Sequence, residues 1–195
     1  MNENQISDIK ILANVKLENI EIMDLGYNEI SDINILEKVN FKKLKKLDLS
    51  YNEISDINIL EKVNFNEINY LYLNGNEISS INIQIKINFN ELNELYLSEN
   101  KISEISILEK VNFKKLKLLD LNYNKISDIS ILEKVVLNEI NKLVLSGNKI
   151  TDINILEKVN FKNLKALYLN NNYLNKDENI SILYRLKYKI RNLYV

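Results

Sequence analysis

Apolar residues recur along this chain on a fixed period, and two local rhythms alternate within it. One unit runs Leu44, Leu47, Leu49, Ile54, Ile57, Ile59, Leu60, Val63 and Phe65. Two units on, the same places hold Leu92, Leu95, Leu97, Ile102, Ile105, Ile107, Leu108, Val111 and Phe113. The Leu47-x-Leu49 part alternates apolar and polar, as a strand with one buried face does. The stretch Ser55-Asp56-Ile57-Asn58-Ile59-Leu60-Glu61-Lys62-Val63 opens with cap-type residues and then spaces Ile57, Leu60 and Val63 three apart. That spacing predicts a short helical or 3₁₀ segment on the opposite side of the coil.

Asparagine marks the period. It stands at Asn4, Asn28, Asn52, Asn76, Asn100, Asn124, Asn148 and Asn172, so 168 positions divide into seven intervals of 24 without an insertion or deletion. Each asparagine falls where the chain leaves the strand and turns. Its side-chain amide can bond backbone groups that a buried bend would otherwise leave unpaired. One such unit buries too little apolar surface to offset the entropy of ordering its own backbone. Stacked units pair their strands and share a continuous core, so the pattern predicts a solenoid.

The repeat L-x-x-L-x-L-x-x-N-x-I-x-x-I-x-I-L-x-x-V-x-F closely resembles the leucine-rich-repeat family. The Asn-x-Ile-Ser-Asp-Ile stretch at Asn28–Ile33, Asn52–Ile57 and Asn124–Ile129 is most similar to two of its branches. One is the bacterial internalin-type repeat and the other is the repeat of a regulatory subunit of type-one protein phosphatase. The resemblance implies an α/β solenoid: a right-handed leucine-rich-repeat horseshoe of 24-residue repeats. Its parallel β-sheet would line the concave side, with short helical or 3₁₀ segments on the convex side. Seven strands at about 4.8 Å give a sheet about 30 Å across.

The whole chain, 1–195, reads as a single domain. Residues 1–19 match the second half of a repeat through Ile6, Ile9, Ile11, Leu12, Val15 and Leu17, with no strand before them. Residues 20–175 carry the repeats. Beyond Leu174 the pattern changes to Ile180, Leu183, Leu186 and Ile190 at helical spacing, interspersed with Arg185, Lys187 and Lys189. Residues 176–195 are therefore expected to form a capping helix and tail, since a bare terminal repeat exposes its core.

Composition narrows the function classes. The chain has 26 basic and 27 acidic residues, a near-balance without the basic excess of nucleic-acid-binding proteins or a polybasic run for anionic membranes. It contains no cysteine and no histidine, which excludes disulfides, thiolate or imidazole zinc sites, and catalytic dyads built on either residue. No cofactor is expected. There is no Gly-rich phosphate loop, since the three glycines (Gly26, Gly75, Gly147) all fall at turns beyond strands. No apolar run is long enough to span a bilayer, and the first residues lack the features of a signal peptide. A soluble, monomeric, cytoplasmic protein is the expectation.

With the register fixed, the sheet's outward columns can be read. The column before the second leucine holds Ile22, Lys46, Tyr70, Glu94, Leu118, Lys142 and Ala166. Between the two leucines stand Asp24, Asp48, Tyr72, Tyr96, Asp120, Val144 and Tyr168. Two positions past the last leucine come Tyr27, Tyr51, Gly75, Glu99, Tyr123, Gly147 and Asn171. All five phenylalanines (Phe41, Phe65, Phe89, Phe113, Phe161) occupy one core column, whereas seven of eleven tyrosines fall in these outward columns. Tyrosine combines large contact area with a polar tip and concentrates at binding surfaces. Exposed strand positions and a codon bias toward Asn, Lys, Ile and Tyr would also supply it.

The column after the asparagine changes sign along the chain, from Glu29, Glu53 and Glu77 to Lys101, Lys125 and Lys149. Such a gradient can orient a charged partner, or serve as an ordinary solvated rim. Asp24 and Asp48 are expected side by side, a pairing that in a pocket would suit a cation or acid–base chemistry. On an open sheet, with Lys46 beside them, no catalytic or metal role is expected. Asn179-Ile180-Ser181 matches a glycosylation acceptor, and the third repeat departs from the Glu-Lys pattern at Gln84, Ile85 and Lys86.

The sequence thus points to a non-enzymatic module that binds a protein or peptide on its concave face. Tyr70, Tyr72, Tyr96, Leu118 and Tyr123 form the expected anchor cluster, with Asp24, Asp48, Asp120, Lys46, Glu94, Lys142 and Tyr168 around it. A regulatory subunit of an enzyme such as a phosphatase, and a scaffold segment of a longer repeat protein, are the competing readings.

Overall fold

The computed structural model describes residues 3–81 and 89–195, which leaves the Gln84, Ile85 and Lys86 departure outside the described residues. Among the described residues eight strands form one parallel sheet in sequence order: β1 (Ile22–Asp24), β2 (Lys46–Asp48), β3 (Tyr70–Tyr72), β4 (Glu94–Tyr96), β5 (Leu118–Asp120), β6 (Lys142–Val144), β7 (Ala166–Tyr168) and β8 (Asn192–Tyr194). From β1 to β7 the register advances by the 24-residue period, Leu47 pairing with Leu71 and Leu71 with Leu95. A parallel pair needs a crossover between its strands. Among the described residues these return segments contain five 3₁₀ helices, at Asn34–Lys38, Asn58–Lys62, Ser106–Lys110, Ser130–Glu133 and Asn154–Glu157, and a sixth, Lys10–Asn14, precedes β1. This is the leucine-rich-repeat horseshoe, with 3₁₀ geometry on its convex side.

The core lies between the sheet and these segments. Leu47, Leu49, Ile54, Leu60, Leu71, Leu119 and Leu143 are buried. Phe65, Phe89 and Phe113 stack along one column, with ring centroids 6.2 and 6.3 Å apart. Phe161 is only partly buried, and Leu137 takes the column's place in the repeat between.

The asparagine ladder joins each repeat to the one before. Asn52 illustrates it: Oδ1 accepts the N–H of Ile30 at 2.9 Å, and Nδ2 donates toward the carbonyls of Leu25, Leu49 and Ser50 at 3.0–3.2 Å. Asn76, Asn100, Asn124 and Asn148 repeat that geometry, and Asn172 bonds Ile150, Leu145 and Leu169. Asn28 accepts from Ile6 in the half-repeat. The backbone of a sharp buried turn is thereby satisfied by a side chain from the next repeat.

The turn into each 3₁₀ helix has its own device. Asp32, Asp56, Asp128 and Asp152 accept the N–H two residues on, at 2.7–2.8 Å. That hydrogen bond holds the Asp128 carboxyl below its ordinary pKa, as the corresponding bond to Lys10 does for Asp8. Ser80 and Glu104 stand where these aspartates would be in their repeats, and there the two backbones form an isolated parallel bridge.

The C-terminal segment differs from the sequence expectation in two respects. Helix α1 (Lys176–Lys189) starts at Asn175, whose side chain accepts the N–H of Asp177 at 3.1 Å, with acidic residues in its first turn and basic ones in its last. Its buried face is Ile182, Leu186 and Ile190, with Asn179, while Ile180 is 64% exposed. The apolar stripe is rotated from the expected one because Asn179 turns inward, donating to the carbonyls of Asn175 and Thr151. A buried, bonded amide is no acceptor for a glycan in this fold. The expected tail is a strand: Asn192–Tyr194 pairs with β7, because that edge would otherwise present unpaired backbone groups.

Candidate binding face

In a three-residue strand the central side chain enters the core and the flanking two point out. Leu71, Leu95 and Leu119 are buried, whereas Tyr70, Tyr72, Glu94, Tyr96, Leu118 and Asp120 keep part of their surface in solvent. Register places Tyr70, Glu94 and Leu118 in one row and Tyr72, Tyr96 and Asp120 in the next. Four of the five expected anchors thus share a contiguous patch across β3–β5.

Two tyrosines dominate the patch. The rings of Tyr72 and Tyr96 stack at 4.7 Å, inclined by 7°. Lys46 Nζ lies 4.7 Å from the Tyr72 ring centroid and 3.7 Å from Asp48 Oδ2. The Tyr96 hydroxyl donates to Glu94 Oε2 at 2.7 Å. Burial raises the pKa of both phenols, and for Tyr96 the bond to Glu94 adds to it. Both hydroxyls therefore remain protonated donors at neutral pH.

Tyr123 leans the other way. It sits at the turn beyond β5, with φ 48°, and its ring lies over Gly147 in the following repeat. Tyr51 lies over Gly75 in the same manner and donates to Glu99 Oε1 at 3.1 Å, with Tyr27 stacked on its ring at 4.5 Å. These rings brace neighbouring turns.

The aspartates are also tied to turns. Asp24 and Asp48 are register partners, and each accepts the N–H two residues on: Gly26 at 3.1 Å and Ser50 at 3.1 Å, the latter joined by the Ser50 hydroxyl at 2.5 Å. Among the described residues no cluster of three or more acidic side chains is placed to hold a metal. Asp120 accepts from Asn122 at 3.0 Å, yet burial keeps its pKa above the ordinary carboxylate value.

Toward the C-terminal end, Lys142 Nζ lies 5.2 Å from the Tyr168 centroid, and Tyr194 stacks on Tyr168's ring at 4.4 Å. Sequence reasoning missed Tyr194 because helix α1 displaces it from the 24-residue period. Its one signal was that Leu193-Tyr194-Val195 echoes Leu167-Tyr168-Leu169. At the sign change of the rim column, Lys101 pairs with Glu77 at 3.2 Å, both exposed, so the pair adds little stability.

Comparison with known proteins agrees with this architecture. The family description "Leucine Rich repeats (2 copies)" matches residues 90–134, and "Leucine Rich repeat" matches residues 42–57. The chain carries leucine-rich repeats at these positions and has the leucine-rich-repeat fold. It is similar to the crystal structure of an internalin (inlF) from Listeria monocytogenes, with 26% identity and a TM-score of 0.78, covering 98% of this chain and 52% of that one. An internalin C2 (inlC2) from the same species gives 24% identity and a TM-score of 0.77, covering 100% and 76%. A plant peptide hormone receptor, RGFR1, in complex with RGF2 gives 21% identity and a TM-score of 0.66, covering 89% and 28%. The chain spans about half the length of that first internalin chain. No curated protein matches it. Among the described residues, no helix is long and apolar enough to cross a membrane.

Proposed function

We propose that this protein is a binding module that captures a protein or peptide on the outward face of its sheet, centred on β3–β5. The observation that carries this reading is the Tyr72–Tyr96 stack, flanked by Tyr70 and Leu118. The core of this fold is complete without these rings, since Leu71 and Leu95 fill it from the same strands. Tyrosines held rigid by stacking lose little entropy on binding and provide large contact area. A solved relative of the same fold is a receptor in complex with a peptide hormone, which suits the peptide reading.

The test is a selection of random linear peptides displayed on phage, run on this chain and on a Tyr72→Ala/Tyr96→Ala variant. Peptides retained by the first and lost by the second support the face. Retention indifferent to both tyrosines overturns it.

A further inference from the structure

The face has a chemical bias. On β1–β5 and the turns that follow, the three outward columns carry Asp24, Asp48, Glu94, Glu99 and Asp120 against a single base, Lys46. The same columns over β6 and β7 carry Lys142 and no acid. The tyrosine stack lies in the acidic part.

The chain also shows what this stack accepts. One outer face of the Tyr72–Tyr96 pair is covered by the protein's own ammonium group, Lys46 Nζ. The other outer face, that of Tyr96, has Asp120 as its register neighbour. There a ring is followed by a carboxylate that Lys142 acts on through space, with no lysine or arginine within ion-pair distance of Asp120 among the described residues. Glu94 is fixed beside Tyr96 by its hydroxyl, and Glu99 is held by Tyr51. In each case the tyrosine hydroxyl engages one carboxylate oxygen.

Resting on the binding role proposed above, we infer that this end of the stack takes a cationic side chain of the partner. An arginine of an extended segment would lie over the Tyr96 ring, with its guanidinium donating to Asp120 and Glu94. Aromatic faces attract guanidinium through their quadrupole, and a carboxylate accepts its planar fork. Asp120 fits this role, because its charge is kept in a half-buried place where burial disfavours it and a cation would relieve that. Lys142, over the Tyr168 ring, bounds the acidic part of the face on the C-terminal side.

The experiment is an NMR titration of the full chain with the peptide acetyl-Ser-Arg-Ser-Arg-Ser-amide, against the same peptide with citrulline for arginine. The arginine peptide is expected to shift the signals of Tyr96 and Asp120, with affinity falling about tenfold on Asp120→Asn, a loss of the size one charge-assisted hydrogen bond gives. Asp120→Asn keeps the shape and the Asn122 bond, and an unchanged spectrum elsewhere certifies its fold. Equal shifts with citrulline, shifts at other strands, no shifts, or an affinity indifferent to Asp120→Asn would each overturn the inference. If the phage selection then still yields tyrosine-dependent but uncharged peptides, the binding role stands without the cation preference.

Discussion

The ring of Tyr123 lies so close over Gly147 that a Cβ at residue 147 would stand 2.3 Å from Tyr123 Cδ1. The same holds for Tyr51 and Gly75, at 2.4 Å. Both glycines adopt φ near 65°, but positive φ alone does not demand glycine in this column. Tyr27, Tyr51, Glu99, Tyr123 and Asn171 hold the same left-handed conformation in their own repeats. The glycine is required by the tyrosine of the repeat before it.

Gly147→Ala is therefore expected to destabilise the fold by about 2–3 kcal/mol, of which left-handed strain supplies about 1–2 kcal/mol. In a Tyr123→Ser background the loss should shrink to the strain alone. Urea unfolding of the four proteins of this cycle measures the coupling. Additive losses would show that the ring yields freely.

Removing one asparagine of the ladder leaves a buried backbone donor unpaired and weakens the bonding of three carbonyls at once. Asn100→Ala leaves the buried Ile78 N–H without its acceptor and takes one of two donors from the carbonyls of Leu73, Leu97 and Ser98, which keep Asn76, Asn124 and the Gly75 N–H. The expected loss is about 3 kcal/mol. Asn172→Ala, in a less buried rung near the end of the array, should lose less in the same denaturation assay.

The pH dependence of Asp120 has a definite sign. Its folded pKa is raised by burial, so the folded state binds its proton more tightly than the unfolded chain does, and this group's contribution falls as pH rises through its titration. Asp120→Asn should raise the melting temperature at neutral pH. That gain should vanish below the ordinary aspartate range near 3.8, where both states are protonated. A gain that persisted at low pH would mean that its origin is not the charge.

Tyr96→Phe retains the stack on Tyr72 and removes the bond to Glu94. Binding of selected peptides should weaken only slightly, whereas Tyr96→Ala should reduce it at least about tenfold, as a central aromatic anchor does. Titration by fluorescence anisotropy separates the two. Thermal melts of both variants should stay close to the parent, because neither ring fills the core.

Strand β8 makes a local prediction as well. The Leu169 N–H donates to the Tyr194 carbonyl at 2.7 Å. Deleting residues 192–195 should speed hydrogen exchange at Leu169, while Leu121, bonded to Val144 between inner strands, stays protected.

The repeat, its period, the strand positions, the buried columns and the asparagine ladder were all legible in the sequence. Each of these depends on residue type at a spacing, and the spacing never slips over seven intervals of 24. A periodic chain fixes its register once, so naming the outward columns was enough to bring Tyr70, Tyr72, Tyr96 and Leu118 together. What a side chain does within its column was decided by the tertiary structure. Tyr123 and Tyr72 are both outward tyrosines, yet one braces a glycine turn and the other stacks on Tyr96, because their neighbours 24 residues on are Gly147 and Tyr96. Where the period ends, the sequence lost its guide. Ile180 reads as core by helical spacing, but Asn179 turns inward and satisfies its amide on Thr151 and Asn175, rotating the helix face. Tyr194 joins the sheet only because α1 returns the chain to the open edge of β7. Local pattern reports which side of an element is apolar; where two elements meet depends on backbone partners far apart in the chain.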